Sequence, residues 1–419
     1  MRLKIILLTA AMIMAAVTAC KPGARSAAQI TVINNKIEID TALKNYAEEY
    51  EKKTGVRVIV RSFGSDAHFA PYVTAMFNAG IEPEILIIEG TAGYEEAKRA
   101  GRVTDLSGEP WVNDTDVAFI DPENGMVAGF PVAIEGWGLA YNKPLLDKAG
   151  IDPSTLVNVT AIRNAFAKIE SMKNELDIDD VVSMTAGPGM TWVTGLHGIN
   201  AYLSLGLPHN DSSRYIDKLL NRQIDTDRLT KFAEYYDLLF GYSNRNMLLA
   251  GNYDQQLSDF ANGKNVFIHQ GNWIDPALRE LGAAFEMGYI PHAFLNETTD
   301  GIFVSAPSWY IVNAKSKNIE EAKMFLAAIA GTQEGHDYMV NKAGMVPAFK
   351  SVTLRPAGYL SRAVQDWVRQ GKIYAWHQYE MPETFGMNTL GPIFHQLASG
   401  RIDTGEFVRL FTNAVLTQP

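Results

Sequence analysis

Apolar residues near the amino terminus recur with two different spacings, and the two spacings alternate along the chain. The β-branched run Ile30–Ile33 has the pattern of a buried strand. In Thr41–Thr54 the apolar residues fall at positions i, i+3, i+4 and i+7, which is one face of a helix. Further strands are predicted at Val56–Val60 and Glu84–Ile88, with a helix near Pro71–Ala79 between them. This alternation predicts an α/β fold with a parallel sheet.

The strand pattern is interrupted by a charge within Gly129–Lys143. The apolar run Val132–Ile134 is followed by Glu135, and Trp137 then stands between two glycines. Glycine inside a strand often marks a bend or a close approach of backbone. One interpretation is a bulge that holds a satisfied glutamate and a core indole. The other is a hinge where the chain passes from one domain to another, with both side chains facing a cleft.

Helical patterns dominate the chain after this stretch. Ile162, Phe166 and Ile169 form one apolar face of a helix. A short strand is predicted at Val266–Ile268, and a returning strand at Asp300–Asn313. The length of 419 residues is large for a single core, so we expect two domains.

The first residues have the composition of a secretory signal. Arg2 and Lys4 precede the apolar run Ile5–Val17, which is too short to span a membrane comfortably. These features predict a signal peptide at residues 1–19.

Cys20 is the only cysteine in the chain, and it follows one aliphatic and two small residues. This order resembles a bacterial lipobox, so we expect a lipid on Cys20 and a polar tether over residues 20–29. The alternative is an ordinary cleavage site with an incidental cysteine. The sequence has no other run long enough to cross a bilayer, so we expect the rest to stand outside the cell membrane.

Composition and missing motifs narrow the functions that remain. With 47% hydrophobic and 20% charged residues the chain is typical of soluble globular proteins, and its net charge of -10 argues against a nucleic-acid partner. It has no P-loop, no His-Glu-x-x-His, no complete dinucleotide fingerprint and no Gly-x-Ser-x-Gly. Its eight histidines do not show zinc-ligand spacing. We therefore expect neither a cofactor nor a metal.

Several indoles stand beside turns instead of within helical patterns. They are Trp137, Trp192, Trp273 and Trp309. Each alone fits a buried core as well as a binding surface. Together they suit a sugar, whose apolar face stacks on an indole and whose hydroxyls need polar partners. The polar candidates for that role are Glu135, Asp66, Glu89 and Asn272.

The chain resembles the family 1 extracellular solute-binding proteins, the lipid-anchored receptors of carbohydrate ABC importers, which include maltose- and multiple-sugar-binding proteins. The segments that carry the resemblance are Ala42–Gly55, Pro131–Lys143, Phe260–Lys264, Gln270–Trp273 and Ala322–Gly335. The resemblance covers nearly the whole mature chain. The stretch Gly90–Gly93 lacks the charged pair that maltose binders carry there, which argues against maltose as the ligand.

The resemblance implies a two-lobed, type II periplasmic-binding-protein fold with a hinge and an interlobe cleft. Lobe one would hold residues 30–134 and 308–344, and lobe two residues 135–307 and 345–419. Phe385 lies where some relatives place a further stacking aromatic. The implied partners are a sugar ligand, the permease subunits of an importer and the membrane, reached through the lipid, and the implied state is a monomer.

The sequence thus predicts a non-enzymatic sugar receptor that closes on its ligand and delivers it to a permease. Two alternatives remain open. One is a lipid-anchored glycosidase with Glu135 and Asp66 as acid and base. The other is a receptor for another solute, such as a polyamine or peptide, since indoles and carboxylates also suit a cation. The identity of the sugar is not readable from the sequence.

Overall fold

The computed structural model describes residues 28–64, 66–209, 211–381 and 385–418. The strands are β1 (Gln29–Asn34), β2 (Arg57–Ser62), β3 (Ile85–Glu89), β4 (Phe119–Ile120), β5 (Val127–Pro131), β6 (Glu135–Asn142), β7 (Asp180–Ser183), β8 (Asn265–Gly271), β9 (Met287–Ile290), β10 (Ile302–Ser305), β11 (Ser308–Val312) and β12 (Ile373–Tyr374). The helices are α1 (Asp40–Thr54), α2 (Asp66–Asn78), α3 (Gly90–Arg99), α4 (Lys143–Lys148), α5 (Val159–Ser171), α6 (Lys173–Leu176), α7 (Ile199–Ser204), α8 (Arg214–Leu220), α9 (Thr226–Gly241), α10 (Arg245–Ala250), α11 (Tyr253–Ala261), α12 (Asp275–Glu280), α13 (Ile319–Gly331), α14 (Gln333–Asp337), α15 (Tyr359–Arg369), α16 (Gly391–Ala398) and α17 (Thr404–Thr417).

The first sheet has the strand order β2–β1–β3–β11–β5–β4. In it β1 runs parallel to β2 and β3, and β11 runs antiparallel to β3 and β5. Alternate side chains of β1 enter two different cores: Val32 packs with Tyr46 of α1, and Ile33 packs with Tyr94 of α3. Helices therefore cover both faces of this sheet, which confirms the predicted α/β class.

The second sheet has the order β12–β10–β6–β8–β7, and β9 also pairs with β6. β6 is central and runs antiparallel to β8, β9 and β10. It is buried along almost its whole length, because helices and strands pack against both of its faces. The largest hydrophobic cluster of the described residues belongs to this half of the chain and includes α5, α9, α16 and α17.

Two short connections join the sheets. The chain leaves the first sheet at Pro131 and enters the second at Glu135, and it returns between Ser305 and Ser308. The two crossovers lie side by side, since the N–H of Val132 donates to the carbonyl of Ser308 at 3.1 Å. We refer to the parts around the first and second sheets as lobe one and lobe two. The two-lobed fold predicted from the resemblance is confirmed.

This topology decides two local predictions. Of the two interpretations of Gly129–Lys143, the crossover is the one that fits the topology, because that stretch contains the end of one sheet, a crossover and the first strand of the other. The bulge interpretation was nevertheless right about the side chains, since Glu135 is buried and paired with Lys36 and Trp137 is a core indole. The single strand predicted over Asp300–Asn313 is wrong. It is two strands in different sheets, and Pro307, which has no N–H for a strand ladder, lies between them.

The signal peptide, Cys20 and nearly all of the expected tether lie outside the described residues, and β1 begins where that tether was expected to end. Within the described part of the chain, helices that combine the length and the apolar character needed to cross a membrane are absent.

Candidate functional site

A small pocket lies between the lobes where the crossovers meet. Lys36 and Glu38 line it from lobe one, and Glu135, Asn272 and Trp273 line it from lobe two. We call it the hinge pocket. Its volume of about 20 Å³ has room for a single water molecule.

Lys36 occupies the centre of a charged group in this pocket. Its Nζ lies 2.8 Å from Oε1 of Glu135 and 4.0 Å from Oε1 of Glu89. Lys36 follows β1, Glu89 ends β3 and Glu135 begins β6, so the ammonium joins the carboxyl ends of two lobe-one strands to the crossover. Burial acts to lower the pKa of Lys36, but the carboxylates around it outweigh burial and raise that pKa above the ordinary lysine value.

Glu38 is the third carboxylate near Lys36, and it lines the hinge pocket. Burial raises its pKa to about 7; Lys36 opposes this shift, and the charges of Glu135 and Glu89 add to it. The group therefore holds three carboxylates and one ammonium. Sequence analysis missed both Lys36 and Glu38, although a position just after a parallel strand is where ligand-binding residues of α/β sheets are often found.

Asn272 supports the crossover. Its Oδ1 accepts a hydrogen bond from the N–H of Gly136 at 2.7 Å, and its Nδ2 donates to Oγ of Ser361 at 3.3 Å. The side chain therefore ties the start of β6 to the end of β8 and to α15. Asn272 is buried and still lines the hinge pocket.

Trp273 is half-buried and forms one wall of the same pocket. Its indole lies against the backbone of Gly271, where a Cβ would overlap the ring. Its Nε1 donates to Oε1 of Gln270 at 3.0 Å, which fixes the orientation of the ring. A held, half-buried indole is well suited to stack against an apolar ligand face.

Four indoles surround one imidazole in lobe two. The ring centroid of His197 lies 5.5 Å from that of Trp137, 5.1 Å from Trp192, 5.1 Å from Trp273 and 5.5 Å from Trp376. We call these five residues the aromatic cluster. Trp192 and Trp273 are half-buried, whereas Trp376 is buried, and the sequence analysis did not single it out.

Trp137 is not on the cleft surface, contrary to the prediction. Its side chain is 0% exposed, and its ring stacks on Phe303 with centroids 4.3 Å apart. The glycines beside it serve close packing within the sheet: a Cβ on Gly136 would contact Val364 at 2.7 Å. The predicted stacking residue Phe385 is likewise buried in the lobe-two core.

Three buried histidines lie together beneath the cleft. His269 contacts Trp137 and His292, with centroids 5.1 and 4.7 Å away. Burial lowers the pKa of His269 to about 3, and it holds the pKa values of His197 and His292 well below their usual range. Among the described residues these groups do not form a cluster suited to a metal ion.

The remaining predicted residues are dispersed. Trp309 lies on β11 and donates from Nε1 to the carbonyl of Val117 at 2.7 Å, away from the hinge pocket. Glu89 is half-buried at the end of β3, near Lys36. Asp66 is the first residue of α2, and its side chain lies outside the described part of the structure.

A second cavity, of about 240 Å³, lies next to the hinge pocket between the lobes. It follows β3 between α2 and α3. Residues 196, 378, 379, 381 and 387 of lobe two also line it. We call it the β3 cavity. At its mouth Tyr379 packs on Gly90, where a Cβ would lie 2.6 Å from Cγ of the tyrosine. Gly90 has a φ of 60°, so both its backbone and its neighbour favour glycine.

Comparison with known proteins places this architecture in a family. Residues 45–370 match the family described as bacterial extracellular solute-binding protein. The chain belongs to that family. It is 25% identical, over 311 residues, to the multiple sugar-binding protein of Streptococcus mutans, a match that spans 71% of this chain and 70% of the relative.

Solved structures share the fold of this solute-binding protein at low identity. The solute-binding protein RafE in complex with raffinose superposes with a TM-score of 0.75 and 17% identity, covering 93% of this chain and 98% of the other. A sugar transporter protein of Bacillus licheniformis in complex with stachyose gives a TM-score of 0.72 and 17% identity, covering 92% of this chain and 98% of the other. A chitin oligosaccharide binding protein superposes with a TM-score of 0.72 and 15% identity, covering 93% of this chain and 98% of the other.

Proposed function

We propose that this solute-binding protein is the sugar receptor of an ABC importer and binds an oligosaccharide between its lobes. The observation that carries the proposal is the interlobe surface around the hinge pocket, where the charges of Lys36, Glu89 and Glu135 lie near the half-buried indole of Trp273. Charged groups that accept and donate hydrogen bonds, beside a stacking face, are what sugar recognition requires. The relatives that bind raffinose, stachyose and chitin oligosaccharides support the same class of ligand.

Ligand binding would favour the closed arrangement because both lobes contribute contacts. The Lys36–Glu135 pair and the packing of Tyr379 on Gly90 already join the lobes. A sugar that bridges the same surfaces adds interactions that exist only when the lobes are together. The closed form would then be the one that docks to the permease.

We infer a receptor without catalytic activity. Glycosidases place two carboxyl groups on opposite sides of the scissile bond. Here Glu135 is engaged by an ammonium 2.8 Å away, and Glu89 shares the same lysine. This arrangement orients a ligand hydroxyl more readily than it provides an acid and a base.

The lobe division and the anchor are part of the proposal. Lobe one would comprise residues 30–134 and 308–344, and lobe two residues 135–307 and 345–419. Met345, Ala348, Phe349 and Val352 pack against the core of lobe one. Cys20 would carry the lipid that holds a monomeric receptor on the outer side of the cell membrane. Cys20→Ser should release the protein from the membrane fraction or leave it unprocessed; an unmodified thiol in the mass spectrum of the mature wild type would contradict the anchor.

A thermal-shift screen followed by calorimetry tests the receptor function. The panel contains raffinose, stachyose, chitin oligosaccharides and maltose, and a ligand that binds only the folded protein raises the midpoint. The tightest sugar is then incubated at length with the protein, and the products are analysed. Intact sugar with measurable binding supports the receptor. Hydrolysis that disappears in Glu135→Gln would instead identify a glycosidase.

One observation favours a second candidate ligand class. The hinge pocket and its surroundings hold three carboxylates, Glu38, Glu89 and Glu135, against the single ammonium of Lys36. An excess of negative charge beside indoles also suits a cationic solute. Putrescine and spermidine therefore belong in the same screen, and a midpoint shift with these amines and none with the sugars would replace the proposed ligand.

A further inference from the structure

The β3 cavity has a different character from the hinge pocket beside it. Its walls are mostly apolar and include Phe69, Phe77, Ile88, Ala97, Met381 and Met387. Both lobes contribute to these walls, so the cavity depends on how the lobes are arranged. A feature with this composition is not explained by sugar binding.

Polar residues lie at the two ends of the cavity, and the exposed residues Thr74 and Glu96 also border it. Asn35, Glu89 and Gln378 lie at the cleft end, near the hinge pocket. Arg102 lies at the other end of β3, where it donates to both oxygens of Glu82 at 2.8 Å and stacks over Phe77 at 3.5 Å. Both ends of β3 are thus polar, and the apolar wall runs between them.

A sugar unit would be poorly placed within those walls. Each buried hydroxyl without a hydrogen-bond partner loses its interaction with water and gains nothing in return. An apolar group has no such requirement and gains from leaving water. A cavity of roughly 150 Å³ is known to hold benzene, so about 240 Å³ accepts an aromatic ring with a substituent.

We propose that the β3 cavity binds an apolar group, an aryl ring or a short alkyl chain, that is attached to the sugar bound in the cleft. The ligand class would then be glycosides with an apolar aglycone. This inference rests on the proposed sugar-receptor function. The amphipathic ligand matches the site, because the polar cleft end of the cavity leads directly into its apolar interior.

Matched pairs of glycosides test the proposal. Calorimetry compares the methyl and 4-nitrophenyl glycosides of α-galactose, α-glucose and N-acetyl-β-glucosamine on the full-length protein. For the sugar that binds, the 4-nitrophenyl glycoside should bind at least about tenfold more tightly than the methyl glycoside, judged from the apolar area that the ring buries. Equal affinities in the wild type would overturn the inference.

A cavity-filling variant distinguishes this site from stacking elsewhere in the cleft. Ala97→Phe should abolish the advantage of the 4-nitrophenyl group and leave the methyl glycoside affinity unchanged. Ala42→Phe on α1, which faces the other core of lobe one, is the matched control and should keep the advantage. An advantage that survives in Ala97→Phe means that the ring binds elsewhere, and the inference fails.

A second variant and the oligosaccharide measurements distinguish a misfolded variant, a failure of the sugar-receptor function and a failure of this inference. If Ala97→Phe does not fold, as judged by circular dichroism, Ala92→Leu fills the same cavity with a smaller side chain and carries the same expectation. If neither oligosaccharide nor glycoside binds, the sugar-receptor function fails and this inference fails with it. If oligosaccharides bind and the paired glycosides do not differ, only this inference fails.

Discussion

The hinge pocket and the aromatic cluster, which share Trp273, are both largely buried and both contain polar groups, but they accommodate those groups in opposite ways. Around the hinge pocket the charges of Lys36, Glu89 and Glu135 compensate one another. In the aromatic cluster the imidazole of His197 stays neutral among four indoles, because burial lowers its pKa. The stability of the hinge pocket therefore depends on each of its charges, whereas the stability of the aromatic cluster depends on the close packing of its rings.

The largest effect that separates the two regions should come from Lys36→Met. It leaves the carboxylates without their ammonium, and an unpaired buried charge destabilises a fold by roughly 3–5 kcal/mol. Urea denaturation of the wild type and the variant measures this change in the free energy of unfolding. Lys44→Met, which removes an exposed helix pair with Asp40, is the control and should change stability by less than about 0.5 kcal/mol. A similar loss in both variants would mean that the hinge charges are not coupled.

Trp273→Ala should reduce sugar affinity more than it reduces folding stability. The indole is half-buried against Gly271, and loss of one stacking face should weaken binding by about 1–3 kcal/mol. Trp309→Ala is the matched control, because that indole packs on Phe119 away from the hinge pocket and should affect stability alone. Calorimetry measures the sugar affinity of both variants, and thermal melts measure their folding stability. Unchanged binding with a collapsed melting point would make Trp273 a core residue.

Gly90→Ala should weaken binding by obstructing the contact between the lobes. A Cβ at this position meets Tyr379 of lobe two, so the closed state should be disfavoured and affinity should fall by about tenfold, or 1.4 kcal/mol. Gly80→Ala has the same left-handed backbone but nothing within 4 Å of the added Cβ. It should lose similar stability and keep full affinity. Equal affinity in both variants would show that closure does not bring Tyr379 onto Gly90.

The sequence predicted the fold better than it predicted the site, for physical reasons. The periodicity of α1 reports burial directly, and Glu135 marks the crossover because a carboxylate is conspicuous in an apolar run. Trp137 was placed wrongly because flanking glycines show close packing without showing which face meets solvent. Lys36 and Glu38 look like ordinary loop charges until the topology brings β1, β3 and β6 together.

The buried histidines next to the aromatic cluster and the carboxylates of the hinge pocket should also respond to pH with opposite signs. His269 has a pKa of about 3 in the folded protein and an ordinary value of 6.5, so below about pH 6.5 only the unfolded chain takes up this proton. Stability should therefore fall on acidification from pH 6.5 towards 3, by up to about 1.4 kcal/mol per pH unit. His269→Leu should flatten the urea-derived stability profile in that window. An unchanged slope would show that His269 is protonated in the folded state.

Glu38→Gln should change stability with the reverse sign. Glu38 has a pKa of about 7 in the folded protein against an ordinary 4.5, so between these values the folded state holds a proton that the unfolded chain has lost. Its contribution to stability therefore falls as pH rises through this window. Glu38→Gln removes that loss, so it should stabilise the protein at pH 8, by at most a few kcal/mol, and change little at pH 4.5. Glu48→Gln, an exposed glutamate on α1, is the control and should be neutral at both pH values. Equal stability of Glu38→Gln and wild type at pH 8 would mean that Glu38 ionises in the folded protein without penalty.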